Sequence, residues 1–407
     1  MKRVVLFVIL AILMTSFAGC AAPTAAPAAP AAPAEPAAQV APAATDVPAP
    51  AAAAGKPLIA LCLPALDNPL MLGFKDTFTQ NFGADYDVQV VSADGNPNNQ
   101  ATQVENFTAM KPKLMFIMPV EATSLVPKMV AAREAGVLVL TAGGDPGNPD
   151  AYDSVMMMNQ YLSGYYEAYM AKQWLDKTYP DAADGSIETA ILVSSLNQEA
   201  VDRSNGLKMI SEPFMKNAKG ELIDATGKVV GDAGKIDNPA YSPKVNVVQV
   251  AEAEMFQASQ TAMQNVLTTN PNVKLVLAYA GDGGMGASKA MLDEFAKGAG
   301  VSAIEDLDKI AVFGVGMIGA EGPAVLDSAT NKTVFRGTIR FGGDLHARTI
   351  EVVKNMLAGN VTKIIYDPLD IVTLIDGKLM STAIEDTEVF TIPSATPVDV
   401  KLGPPPG

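Results

Sequence analysis

Two stretches of the chain have the spacing of a phosphate-cradling loop: Gly281-Asp-Gly-Gly-Met-Gly286 and Gly314-Val-Gly-Met-Ile-Gly319. Both fit G-x-G-x-x-G, and each falls between an apolar run that reads as a strand and a stretch that reads as a helix. In that setting glycines let the backbone approach a pyrophosphate seated on a helix N-terminus. The chemistry would be dinucleotide binding, as in a Rossmann-type enzyme. That fingerprint also wants an acid about 20 residues on, at the end of the next strand. After Gly314 that strand ends in Arg340 instead. No other enzyme signature is legible. There is no metal-ligand cluster and no P-loop lysine, and one histidine, His346, supports no Ser/His/acid grouping. His346 reads as a plain helix residue. The sequence therefore implies neither an enzyme nor a cofactor.

Cys20 implies a different chemistry. It follows Met1-Lys2-Arg3, an apolar run from Val4 to Met14, and Thr15-Ser-Phe-Ala-Gly19, the parts of a secretory signal. The apolar run is shorter than the roughly 20 residues that span a bilayer. A cysteine directly after Ala18-Gly19 resembles the lipobox of bacterial lipoproteins, with Phe17 where those proteins usually carry Leu. The resemblance implies a signal peptide over 1–19, cleavage before Cys20, and lipidation of Cys20. Residues 21–55 are almost all Ala and Pro. They lack the large apolar residues a core needs, and at about 3.1 Å per residue such a tether reaches roughly 100 Å. The expectation is a domain held outside the cytoplasm on a lipid anchor and a flexible leader over 20–56.

The whole chain has 407 residues, with 29 Lys and Arg against 44 Asp and Glu and a formal charge of −15. With no basic stripe, nucleic acid is not a partner, and the acidity reads as solubility. Cys62 lies inside the apolar run Leu58–Leu63 and is expected to be buried and inert, packing as a small hydrophobe. The roughly 350 residues after the tether are enough for two lobes.

These residues alternate strands and helices. Leu58–Leu63, bounded by Pro57 and Pro64, reads as a buried strand, with a helix from Pro69 to about 82. Strands follow at 88–92, 114–118 and 137–141, with helices at 98–110 and 124–135. The rhythm restarts with strands at 154–158, 187–194, 245–250, 273–278, 310–315 and 334–340. Helices are expected at 160–177, 199–215, 256–269, 284–297, 321–328 and 344–358. Such alternation implies parallel strands with crossover helices. Residues 216–243 break the pattern: they are polar and glycine-containing, with a small hairpin over 221–230 that turns at Ala225-Thr226-Gly227. This is too long for an ordinary connection and reads as a surface insertion.

Residues 57 to about 376 resemble the type I periplasmic binding proteins, the ribose- and galactose-binding group that serves ABC importers. The resemblance is carried by Leu58-Ile-Ala-Leu-Cys-Leu-Pro-Ala-Leu-Asp-Asn-Pro-Leu-Met71 and by Ala93-Asp-Gly-Asn-Pro-Asn-Asn-Gln100. Supporting stretches are Pro119-Val-Glu-Ala-Thr123, Glu134-Ala-Gly136, Arg203-Ser-Asn-Gly206, Thr269-Asn-Pro-Asn-Val-Lys-Leu-Val-Leu-Ala278, Val312-Phe-Gly314 and Arg336-Gly-Thr-Ile339. It implies an α/β fold of two Rossmann-like lobes with parallel sheets, joined by three crossing strands near 158–159, 341–342 and 370–371. Lobe 1 would be 57–158 with 342–370, lobe 2 would be 159–341 with 371–395, and 396–407 a flexible tail. Ligand would sit in the cleft, at the carboxyl ends of the strands, and closure about the hinge would be the signal read by partners. The two glycine motifs coincide with the family's ligand loops.

Carried over residue by residue, the resemblance places Asp67 or Asn68 and Arg203 in the cleft. Leu70 and Met71 stand where the family usually has Phe. Met118 replaces an Asn, Ala142-Gly143 replace an Asp-Arg pair beside Asp145, and Asp282 ends what is usually an Asn-Asp turn. Met317 stands near a lost Asp, and Phe341, beside Arg340, replaces a Gln. Asn159, with Asp145, Asp282 and Arg340, is a shifted partner. A sugar needs a partner for each hydroxyl, since a buried polar group left unpaired costs about 1–3 kcal/mol. A less hydroxylated or flatter ligand, such as a nucleoside, is the alternative to a sugar. Each residue also has a packing explanation: Asp67 or Asn68 and Asp282 as helix caps, Arg203 and Arg340 as paired or solvent-facing charges, the methionines as core. Tyr161, Tyr165 and Tyr169 recur at helical spacing and are expected to pack the core. The implied partners are a small-molecule solute, an ABC permease with its ATPase, and the membrane through the anchor, with the protein a monomer. A sensory protein serving a chemoreceptor or kinase would share the same fold and site.

Overall fold

The structure is a computed structural model that describes residues 55–66, 69–316, 320–384 and 388–400. Cys20, with the signal and nearly all of the tether, lies outside the described residues, as do Asp67, Asn68 and Met317. Among the described residues no helix is long and apolar enough to cross a membrane.

The first lobe is laid down by β1 (Leu58–Leu63), α1 (Pro69–Phe82), β2 (Asp87–Ser92), α2 (Pro97–Met110), β3 (Leu114–Ile117), α3 (Ala122–Glu134), β4 (Leu138–Ala142) and β5 (Ser154–Met157). The second begins with α4 (Gln160–Thr178), β6 (Ile187–Val193) and α5 (Gln198–Leu207). It continues through β7 (Val245–Glu252), α6 (Phe256–Thr269), β8 (Leu275–Ala278), α7 (Gly281–Phe295), β9 (Ala311–Val315), α8 (Glu321–Asp327) and β10 (Phe335–Phe341). The chain then returns to the first lobe for α9 (Leu345–Leu357) and β11 (Ile364–Tyr366). It ends in the second with β12 (Leu369–Ile375), β13 (Lys378–Ile384) and β14 (Val398–Asp399).

Sheet order is β11-β5-β4-β3-β1-β2 in the first lobe, parallel throughout. In the second it is β14-β13-β12-β10-β9-β8-β6-β7, parallel from β7 to β10 and antiparallel beyond. Strand β1, between β3 and the edge strand β2, is buried on both faces, which is why it reads as unbroken apolar sequence. Ile59, Leu61 and Leu63 join one core layer with Phe74, Phe78 and Phe116. Ala60 and Cys62 join the other with Val104, Phe107 and Met115. Cys62 is fully buried, and burial pushes its thiol pKa far up, so it packs as expected.

Three differences from the sequence reading have local causes. Helix α5 stops at Leu207 and tightens into a 3-10 turn over Lys208–Ser211, because Glu212 precedes Pro213 and takes an extended conformation. A hairpin not read from the sequence, β12–β13, turns at Asp376-Gly377, both at positive φ (49° and 75°). Within the stretch read as a flexible tail, Val398 and Asp399 pair with Ser381 and Met380 and cover the edge of β13. The 216–243 segment does form its hairpin, with Ile223 opposite Val229 and a turn from Asp224 to Gly227. It is not only on the surface. Ile223, Met215 and Ala240 join the second lobe's core. Asn238, 5% exposed, donates to Met209 O and Glu212 O and accepts from Ala240 N and the Tyr165 hydroxyl.

The chain passes between the lobes at 158–159, 342–344 and 367–368, so Leu369 and Asp370 already pair in the second sheet, opposite Phe341 and Arg340. The crossings are tied to one another: Asp367 N donates to Met157 O (2.9 Å) and Gly342 N to Pro368 O (2.7 Å). Asp367 is 4% exposed, and its pKa is pushed up to about 7 by burial, against the nearby Arg348 guanidinium (Nε to Oδ1 3.9 Å). Its folded-state pKa exceeds its ordinary value, so the stability tied to its proton is complete below about pH 4 and is lost as pH rises through about 7. The Asp367→Asn variant should gain stability over wild type at pH 8, on the order of a few kcal/mol, and a clearly smaller gain at pH 5, vanishing below about pH 4. Urea midpoints at the two pH values check this; an equal difference at both would contradict it.

Loops at the strand ends are held by Gln100, which is fully buried. Its Nε2 donates to Met118 O (2.8 Å) and Cys62 O (3.3 Å), and its Oε1 accepts from Val120 N (2.7 Å). Gln100→Leu takes the side-chain partner from Met118 O and Val120 N, leaves Cys62 O with Met118 N alone, and should cost about 2–4 kcal/mol of stability, read from denaturant midpoints.

Candidate binding site

The carboxyl ends of the two sheets meet at Asp145 and Glu199. Asp145, in the loop after β4, donates its backbone N–H to Glu199 Oε1 (2.9 Å) at the start of α5. The Asp145 carboxylate shapes its own loop, accepting from Gly147 N (2.9 Å) and the Tyr152 hydroxyl (3.3 Å). Burial raises the Glu199 pKa, and the nearby charges of Asp145 and Asp202 add to the rise, against the Asp145 N–H and Arg203.

Arg203 lies one turn further along α5 and is 8% exposed. Its Nε donates to Gln160 Oε1 (2.9 Å) and Nη1 to Tyr279 O (2.9 Å), Nη2 also reaches Gln160 Oε1, and Met158 Sδ is 3.9 Å away. The guanidinium carbon stands 4.6 Å from the centroid of the Tyr279 ring, a cation–π distance. Burial lowers the Arg203 pKa, opposed by Tyr279 and by the carboxylates of Glu167, Glu199 and Glu254. The local sequence explains the placement. Asn159 caps α4 through Leu162 N (3.1 Å), Asn197 caps α5 through Ala200 N (2.8 Å), and the two helices touch backbone to backbone at Gly164 and Gly206.

The other sequence candidates separate. Asp282 accepts from Phe256 N (2.7 Å), so its carboxylate caps α6. Arg340 lies on the sheet beside Asp370 and Ser381 (3.4 Å each). Phe341 packs against the second lobe's core at the crossing. Met71, 7% exposed, belongs to the first lobe's core, with Leu70 and Met118 packed against it. The tyrosine expectation holds for Tyr165, which is fully buried, while Tyr161 and Tyr169 flank the same core. His346 does more than sit on a helix. Its Nε2 is 2.9 Å from Leu70 O, its ring is 4.6 Å from Phe74, and it occupies the space a Cβ on Gly73 would need. It thus locks α9 onto α1.

Sequence reasoning missed Gln160, Glu199 and Tyr279. Tyr279 is the residue directly after β8, so an aromatic at the strand end was the available signal. Gln160 directly follows the first crossing and was read only as a helix start.

Beside this group lies a cavity of about 470 Å³. Met157, Met158 and Tyr161 line it. The turn of the 216–243 hairpin, the segment 388–390, Glu199 and Asp202 line it as well.

Residues 59–336, more than half of the chain, match the family model described as "Periplasmic binding protein domain". Solved structures share the fold. A periplasmic ribose ABC transporter protein from Conexibacter woesei DSM 14684 superposes with a TM-score of 0.57 at 16% identity, over 79% of this chain and 93% of that one. An ABC transporter solute binding protein from Bacillus halodurans C-125 with bound myo-inositol gives 0.53 at 18% identity, over 78% and 95%. One from Actinobacillus succinogenes 130z with bound D-allose gives 0.51 at 19%, over 78% and 98%. At these identities the likeness concerns the fold. No curated protein matches the chain in sequence.

Proposed function

The chain belongs to the periplasmic binding protein family, and from that premise we propose that it is the solute-capturing component of an ABC importer. In this reading it works outside the cytoplasm, held by a lipid on Cys20. It closes its two lobes on a small polar solute and presents the closed form to a permease with its ATPase. It carries out no catalysis. The observation that carries the reading is the meeting of both lobes' strand ends at the Asp145–Glu199 hydrogen bond, beside a buried arginine on an aromatic ring. A guanidinium in that position offers N–H donors to hydroxyl oxygens, and the Tyr279 ring offers a face to a sugar or base. Structural neighbours with bound D-allose and myo-inositol support a polyhydroxylated ring as the solute.

The test is a thermal-shift screen over pentoses, hexoses, inositols and nucleosides, followed by calorimetry. The cognate solute at about 100 times its Kd should stabilise the protein by about 2.7 kcal/mol. A nucleoside as the only hit would replace the sugar reading. A panel with no hit at millimolar concentration would overturn both.

A further inference from the structure

The cavity beside the hinge is walled by the segment that interrupts the αβ rhythm. We propose that it is an accessory site for a small organic cation bearing an ammonium group, built where the 216–243 insertion meets the hinge, beside the Arg203 group and sharing part of its border. The insertion is anchored for that task. Met215 and Ile223 are sunk in the core while the turn from Asp224 to Gly227 stands over the cavity. The C-terminal segment 388–390 lines the same space next to the turn, so near that a Cβ on Gly227 would lie 3.1 Å from Val389 Cγ1.

The lining selects the ligand class. Four carboxylates face the space, from Glu199, Asp202, Asp224 and Glu388, and among the described lining residues none is Lys, Arg or His. Part of this charge holds structure: Asp224 Oδ1 accepts from Thr226 N (2.8 Å) and Lys228 N (3.2 Å), Asp202 Oδ1 from Gln198 Nε2 (2.7 Å), and Glu199 Oε1 from Asp145 N. These bonds fall on one oxygen of each carboxylate. The field is also felt at Tyr366, whose phenol pKa is raised by burial and then by Glu388, Asp145 and Asp202. Tyr161, Tyr366 and Phe390 also line the space, aromatic groups of the kind that attract an alkylammonium head. A volume of about 470 Å³ is within the ordinary range for small-molecule sites. Of the residues placed in the cleft, Asn159, Gln160 and Glu199 border both spaces, while Asp145, Arg203 and Tyr279 do not line this one.

The test is calorimetry on the full chain with choline and with its neutral isostere 3,3-dimethylbutan-1-ol, at constant ionic strength. Choline should bind saturably, at least about tenfold more tightly than the isostere, and the Asp202→Asn/Glu388→Gln double variant should lose about tenfold in choline affinity. A second variant, Ala225→Trp, fills the space without changing charge and should also abolish choline binding. Equal binding of the two probes overturns the proposal. So does choline binding undisturbed by either variant, or no saturation by about 10 mM choline. A solute found by the cleft screen should bind the double variant as it binds wild type, so loss of the cation site and loss of the cleft reading are separately visible.

Discussion

Alanine at Gly206 should cost at least about 3 kcal/mol of stability and weaken solute capture by more than tenfold. The added Cβ would lie 2.2 Å from Tyr161 O and 2.7 Å from Tyr165 N, both backbone atoms of α4. The reverse contact is as close, with a Cβ on Gly164 at 2.2 Å from Arg203 O. No side chain can swing away from either clash, so the helices have to part. Overpacking in a filled core usually costs about 1–3 kcal/mol, and a backbone obstacle on both sides puts this case at the top of that range or beyond. The functional cost follows from what the helices carry. Gln160 is on α4 and Glu199 and Arg203 are on α5, so separation stretches the Gln160–Arg203 hydrogen bonds and the Glu199 link to the first lobe. Gly231→Ala is the control: its Cβ meets nothing within 4 Å, its φ is −81°, and a change within about 0.5 kcal/mol is expected. Denaturant midpoints and calorimetry measure both effects. A Gly206→Ala protein within about 0.5 kcal/mol of wild type would show that the α4–α5 contact is looser than described.

The fold was legible because its signals are local. The run Leu58–Leu63 is a strand covered on both faces, and only unbroken apolar residues suit that position. Asn96-Pro97 announces α2 by supplying a cap and a first-turn proline, and the cap forms, with Asn96 Oδ1 accepting from Asn98 N (2.9 Å). Even the missed hairpin had a signal, Ile375-Asp-Gly-Lys378, since Asp-Gly between apolar runs favours the turn seen there. The site was less legible because its pairings are not local. Arg203 meets Tyr279 across 76 residues and Gln160 across 43, and Asp145 meets Glu199 across 54. Sequence can say that Asp282 starts a helix. It cannot say that the carboxylate turns to cap the neighbouring α6 rather than a ligand, because that choice depends on how α6 and α7 pack.

Arg203→Met should be the most damaging single change in the cleft, for stability as well as binding. The side chain is buried and supplies hydrogen bonds to Gln160 Oε1 and Tyr279 O, so its loss leaves both acceptors without their donor. It is also the positive charge facing Glu167, Glu199 and Glu254. Glu167 is fully buried, accepts from Ala278 N (2.9 Å), and has its pKa raised by burial even with Arg203 present. Removing one partner from such a buried arrangement costs about 3–5 kcal/mol. The sign of the pH dependence tests the electrostatic part. Without Arg203 the folded-state pKa values of Glu167 and Glu199, already raised by burial, rise further, so the variant loses stability as pH rises and its deficit should be larger at pH 8 than at pH 5.5. Arg203→Lys separates charge from geometry. An ammonium restores part of the charge balance, and so part of the stability at pH 8, but it cannot reproduce the planar fork that spans Gln160 and Tyr279. Its solute affinity should stay at least tenfold below wild type. A deficit in Arg203→Met that does not change with pH would mean that Glu167 and Glu199 do not depend on Arg203 for their charge. An unchanged affinity in Arg203→Lys would mean that the site uses the charge and not the fork.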